Sequence, residues 1–250
     1  MKTKMALAFG ALAMLATPLA ADWDPGDAHK MHAPQLPDPN GWDVHVDRPN
    51  ILADDWQCRG DGDVDDIHFW GSWAGDNIGQ IATILVRIHS DIPDPDGDGP
   101  LFSMPGNVLW ERQFGETEFT VRQYGTGDQG WIEPNPNNPP PTYFPNDHNL
   151  YFQVNIEDII DPFYQVQDTI YWLSLQTTIW SYDFGWKTST TQWNDDAVYG
   201  FFDPEDPQPI VWNELVDPDQ VSLDLAFVIT PEPGTLLLLG LGGLLLRWRR

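Results

Sequence analysis

The chain has one cysteine in 250 residues, Cys58, so no disulfide can form within it. Positive charge is scarce too: Lys+Arg number 12 against 38 Asp+Glu, a formal net charge of -26. A surface of that sign is repelled by phosphate backbones, which excludes nucleic acid as a partner. Uninterrupted helical windows are few, because Gly 21, Pro 23 and short Asp clusters break them up, and a long helical bundle is excluded. Neither an H-E-x-x-H pair nor a G-x-S-x-G elbow occurs. The six histidines (His29, His32, His45, His68, His89, His148) are dispersed, and His68 and His89 fall on predicted strands, where a hydrogen-bonded structural role is the default. What the chain does have is apolar surface: aromatics make up 13%, with 13 Trp, enough to build a core and exclude disorder throughout.

The two ends read as addresses. In residues 1–21, Lys2 and Lys4 precede the apolar run Met5 to Ala16, and Thr17-Pro18 precedes the small pair Ala20-Ala21, the pattern of a secretory signal peptide with its helix. An exported chain without disulfides must be held by its core alone, or by its core and bound ions. In residues 231–250, Pro231-Glu232-Pro233-Gly234 is followed by the apolar stretch Thr235 to Leu246 and then by Arg247-Trp248-Arg249-Arg250. That order resembles the PEP-CTERM sorting signal of bacterial exported proteins. The resemblance implies export, recognition by an exosortase through Pro231, Glu232, Pro233, Arg247, Arg249 and Arg250, and removal of the tail. Arginines at the end favour the cytoplasmic side and leave the body outside. The apolar helix is about 18 Å long, and Trp248 with snorkelling arginines extends its reach into the bilayer, a transient membrane anchor before processing. Five of the 12 basic residues lie in these two end segments, against only Glu232 of the 38 acidic ones, so the body between them is more acidic than the whole chain.

Residues 22–50 are rich in Pro, Asp and Asn and read as an extended arm; 51–230 read as one domain. Short β-prone runs recur there between turn clusters: Ile51–Trp56, Asp65–Trp73, Ile81–Ser90, Val108–Phe114, Glu118–Tyr124, Leu150–Ile156, Thr169–Ile179, Phe184–Lys187, Ala197–Phe202 and Ser222–Thr230. Ile84, Val86 and Ile88 share one strand face, as do Tyr171, Leu173 and Leu175. The spacing predicts an all-β fold, a two-sheet antiparallel β-sandwich of jelly-roll type, with helices only in the signal and the hydrophobic C-terminal tail. Pro93–Pro100 and Glu133–Pro145 read as loops, and Ile156–Val166 as room for a short helix. The series Leu52-Ala53-Asp54-Asp55-Trp56-Gln57-Cys58, Asp66-Ile67-His68-Phe69-Trp70-Gly71-Ser72-Trp73, Gly185-Trp186-Lys187-Thr188-Ser189 and Asp224-Leu225-Ala226-Phe227-Val228-Ile229 resembles a domain of unknown function that recurs in secreted PEP-CTERM proteins. The resemblance implies export and a β-rich fold, and it carries over no reaction or catalytic residue.

Three chemistries fit the body. Asp94, Asp96 and Asp98, in Asp-Pro-Asp-Gly-Asp-Gly, match the first half of a calcium loop, although its twelfth position is Pro105; a solvated acidic turn is the alternative. Asp61, Asp63 and Asp65 form a second acidic run whose mutual repulsion invites a cation. Exposed Trp131, Tyr143, Trp180, Tyr182 and Trp193 would stack sugar rings, making the protein a binding module for exopolysaccharide. Glycoside hydrolysis needs two facing carboxylates, for which Asp195, Asp196 and Glu214 are the candidates, with turn and strand-edge roles as their alternative. The expectation is an exported structural or interaction protein of the cell envelope or extracellular matrix, with the export machinery and exosortase as partners and no catalytic residue.

Overall fold

The computed structural model describes residues 22–94, 102–137 and 139–230, so the signal segment and the C-terminal tail lie outside it. Within these residues fourteen strands form: β1 (Trp42–His45), β2 (Asn50–Gln57), β3 (Gly62–Asp63), β4 (Asp66–Trp73), β5 (Gln80–Ile92), β6 (Met104–Gly115), β7 (Thr120–Glu133), β8 (Thr142–Ile156), β9 (Tyr164–Gln165), β10 (Ile170–Ser181), β11 (Phe184–Lys187), β12 (Val198–Phe201), β13 (Asn213–Glu214) and β14 (Phe227–Thr230). The only helix among the described residues is a 3-10 turn at Ala74–Asp76. The short helix expected near Ile156–Val166 is absent; Asp158 and Asp161 there adopt positive φ, which turns the chain instead.

One sheet, β13-β12-β2-β10-β5-β6, is open and antiparallel throughout. In the other, β11-β1-β7-β8-β4, strand β4 pairs back onto β11, so that five strands close a ring, and β14 joins the first half of β4. The expected all-β, multi-sheet fold is observed, with two corrections to the two-sheet antiparallel sandwich: one sheet closes on itself, and β1 lies parallel to β7. The closure needs glycine. A Cβ on Gly71 would lie 2.2 Å from the Gly185 carbonyl and 2.5 Å from the Phe184 ring, so only a bare backbone lets β4 and β11 approach. Gly71→Val is expected to cost about 1–3 kcal/mol by overpacking; denaturant unfolding checks it, and an unchanged midpoint would contradict the closure.

Both sheets face one core. Ile67, Phe69, Val154 and Trp186 of the closed sheet pack with Leu52, Trp56, Ile84, Val86, Leu173 and Leu175 of the open one. Phe227 joins them, its ring edge-on to Trp56 at 6.2 Å and to Trp186 at 6.0 Å. The alternation read at Ile84, Val86 and Ile88 and at Leu173 and Leu175 thus marks the inward faces. The expected loop Glu133–Pro145 holds for its larger part between β7 and β8, but β8 takes in its end from Thr142, and an irregularity between Gln129 and Trp131 of β7 lets Pro145 and Asn146 bulge out of the pairing. The arm is bound to the body, with Met31 bridging Cys58, Gln35 bridging Phe227 and Pro37 bridging Ser189.

Candidate functional site

The sequence candidates scatter. Asp94 is exposed beyond β5, while Asp96 and Asp98 lie outside the described residues. In the run Asp61, Asp63, Asp65, the Lys30 ammonium lies 3.4 Å from the Asp65 carboxylate and donates to the Asp63 backbone carbonyl. Of the five aromatics, Trp131 is buried and donates its indole N–H to Glu133, 3.4 Å away. Tyr143 is half-buried with its hydroxyl on the Val216 carbonyl, and Trp193 stacks on His32 with ring centroids 4.0 Å apart. Trp180, 71% exposed, and Tyr182, 57% exposed, remain available, two residues apart at the β10–β11 turn. Pro231, Glu232, Pro233, Arg247, Arg249 and Arg250 lie outside the described residues.

A denser set of acids gathers where β2 meets the 189–197 and 222–225 segments. Asp54 and Asp55, adjacent on β2, point to opposite sheet faces. On the inner face Asp54 accepts the Leu225 amide at 2.6 Å and the Gln35 side-chain amide at 3.2 Å, and Asp224 accepts the Trp193 amide at 2.6 Å. Burial, aided by Asp224 and Asp55, pushes the Asp54 carboxyl well up; burial likewise lifts Asp224 to about 7. On the outer face Asp55 is buried beside Trp172 of β10, which is paired in turn with His89 of β5. Asn194 holds one Asp55 oxygen at 2.5 Å while the other has no partner among the described residues. Burial, with Asp224, Asp91 and Asp195 nearby, lifts Asp55 to about 8. Burial and a hydrogen bond with Glu214 lift Asp196 to about 8.

Ion pairs direct the basic side chains elsewhere: Arg48 to Asp203 and Glu205, Arg87 to Glu111, Arg112 to Glu118, Arg122 to Asp22 and Asp24, and Lys187 to Asp43. None of these pairs reaches Asp54, Asp55, Asp196 or Asp224, so no ion pair offsets the desolvation that pushes their carboxyls up.

A third cluster sits beside the aromatic turn. His45, at the end of β1, lies between Glu133 (Nδ1 at 2.9 Å from both carboxylate oxygens) and Asp47 (Nε2 at 3.2 Å). Burial alone would lower its pKa, but the hydrogen bonds to Asp47 and Glu133 outweigh it and hold it at about 9. Asp47 is buried, bonded by the Thr177 hydroxyl and, at 2.8 Å, by the Phe184 amide. Asp183 completes the group: one ligand atom each from His45, Asp47 and Asp183 lie within 4.8 Å of one another.

Sequence reasoning missed this cluster and the Asp54–Asp55 pair. Their signals were present: His45 and Asp47 alternate along an extended segment, and two acids interrupt the apolar run Ile51-Leu52-Ala53 before Trp56. The structural role expected for His68 and His89 holds, since both are buried, on Asn155 at 2.7 Å and on the Ser174 hydroxyl at 2.8 Å.

Comparison with known families gives two matches. A model described as a domain of unknown function, DUF7901, covers residues 31–230, and one described as the PEP-CTERM protein-sorting motif covers 230–250. No curated protein and no solved structure matches the chain. The sorting motif marks an exported, envelope-associated protein recognised by exosortase. Among the described residues no helix is long and apolar enough to cross a membrane.

Proposed function

As the chain belongs to the DUF7901 family and carries the PEP-CTERM motif, we propose that it is a non-catalytic structural or interaction protein of the cell envelope or extracellular matrix. One observation carries the reading. The last strand, β14, ends at Thr230, paired with Asp66, and the sorting motif starts at residue 230. The folded body and the motif share only residue 230, so a cut beyond it leaves every named strand intact. Before that cut the apolar tail anchors the chain in the inner membrane; afterwards the acidic body is free to work outside. Replacing Pro231, Glu232 and Pro233 by alanine is expected to leave the tail attached and the protein in the membrane fraction, read by immunoblotting. Unaltered processing would overturn the reading.

Exopolysaccharide binding is the second reading, supported by the exposure of Trp180 and Tyr182 at one turn. A purified exopolysaccharide should quench tryptophan fluorescence, and Trp180→Ala with Tyr182→Ala should weaken binding at least tenfold, since base-like stacking contacts of large rings are worth about 1 kcal/mol or more each. Equal affinity in the double variant would remove this reading.

A further inference from the structure

We propose that His45, Asp47 and Asp183 form a binding site for a zinc-class divalent ion, with Glu133 as the group that orients the imidazole. The inference goes beyond the envelope role and does not depend on it.

The geometry is that of a ligand set with its support. His45 Nε2 and Asp47 Oδ2 lie 3.2 Å apart. An ion bonded at about 2.0–2.1 Å to two tetrahedral ligands sets them about 3.3–3.4 Å apart, so the two atoms already stand at the required spacing. Asp183 supplies the third ligand from within 4.8 Å, a span that a modest turn of its exposed side chain closes. The other imidazole nitrogen, Nδ1, faces the Glu133 carboxylate at 2.9 Å. Such an outer carboxylate keeps the Nδ1 proton in place, so that the metal displaces the proton on Nε2, and it is the usual companion of a metal-bound histidine. Glu133 is itself held by the Trp131 indole and by the Asn50 side chain.

Asp47 cannot swing away, because the Thr177 hydroxyl and the Phe184 amide hold its two oxygens. That same amide follows Asp183 in the chain, which ties the second and third ligands to one strand start. The charge balance agrees. Asp47, Glu133 and Asp183 bring three carboxylates to one imidazole, and the nearest cation in sequence, Arg48, pairs instead with Asp203 and Glu205. One imidazole with carboxylate oxygens suits zinc better than the all-oxygen shell that calcium prefers. Asp183 is exposed and follows the exposed Tyr182 in the chain, so solvent reaches the group from that side.

The test is isothermal titration of the chain carrying residues 22–230 in chelator-treated buffer with zinc chloride alone, then with calcium chloride alone. One zinc ion per chain should bind. Asp183→Asn, a change at an exposed turn that leaves the core untouched, should weaken binding at least tenfold, and His45→Gln should abolish it. Glu133→Gln should weaken it about 10–100-fold as an orienting group. Cobalt loading should give the visible bands of a four-coordinate site in the wild type and lose them in Asp183→Asn. Absence of saturable zinc uptake, uptake undiminished in Asp183→Asn, or preference for calcium would each overturn the assignment.

Discussion

Replacing Lys187 by methionine is expected to lower the unfolding free energy by about 3–5 kcal/mol, the usual consequence of leaving one member of a buried ion pair alone. Lys187 is fully buried on β11, with its ammonium 3.1 Å from an Asp43 oxygen and donating to the Gln129 side-chain Oε1. The same Asp43 oxygen meets His148 Nε2 at 3.0 Å. Burial opposes ionisation of Asp43, yet Lys187 and His148 hold its carboxyl below the usual range. These contacts join β1, β7, β8 and β11, four of the five strands of the ring. Removing the ammonium therefore leaves a carboxylate in the wall with only a histidine to answer it. Urea unfolding of wild type and variant measures the loss. The double change Asp43→Leu with Lys187→Met should recover part of it, because an apolar pair costs no desolvation. A single variant as stable as the wild type would show that the pair does not hold the ring together.

Acidification from pH 8.5 to 6.5 is expected to stabilise the fold. The sign follows from Asp55, Asp196 and Asp224, whose folded values lie near 8, 8 and 7, above the ordinary 3.8. The folded state keeps protons that the unfolded state has lost, so stability falls as pH rises through those folded values. His45, held at about 9, adds in the same direction, its stabilisation being lost as pH rises through that value. His32 and His89, both lowered to about 4 by burial first of all, are neutral in both states above 6.5 and do not oppose the trend. Below 6.5 they do, since the unfolded chain takes up protons there that the folded one refuses. There the two imidazoles offset part of the gain from the three carboxyls, so the rise in stability on acidification becomes shallower below pH 6.5. One retained proton, as at Asp55, gives a slope of about 1.4 kcal/mol per pH unit. Thermal melts across the window check the trend. Asp55→Asn, which keeps the Asn194 contact and cannot ionise, should flatten it. A wild-type stability that is level or rises towards pH 8.5 would contradict the account of these carboxyls.

How far this molecule was legible depends on whether a residue's role is set by its neighbours in sequence. The strand runs from Ile51–Trp56 to Ser222–Thr230 were readable, because alternation and β-branched residues are local, and each overlaps a strand of the fold. Strand β1 was not. Trp42-Asp43-Val44-His45 carries two ionisable residues in four, and Asp43 is inside only because Lys187, 144 residues further on, neutralises it. Ring closure was hidden for the same reason, since nothing near Gly71 announces that Gly185 will lie against it. Among the sites, the sorting motif was fully legible, being contiguous in sequence. Trp131 looked like a sugar platform and is instead a buried donor to Glu133, and Trp193 is covered by His32 from the arm. His45, Asp47, Glu133 and Asp183 come together from separate segments, so only the i, i+2 spacing of the first two was visible in advance.

Export and tail removal, on which the envelope role rests, are tested most directly by intact-mass spectrometry of the protein recovered from producing cells, fraction by fraction. The account predicts a species outside the cytoplasm lacking both the leader before residue 22 and the apolar tail after the Pro231-Glu232-Pro233 motif. A full-length chain retained in the cytoplasm with its tail intact would contradict it.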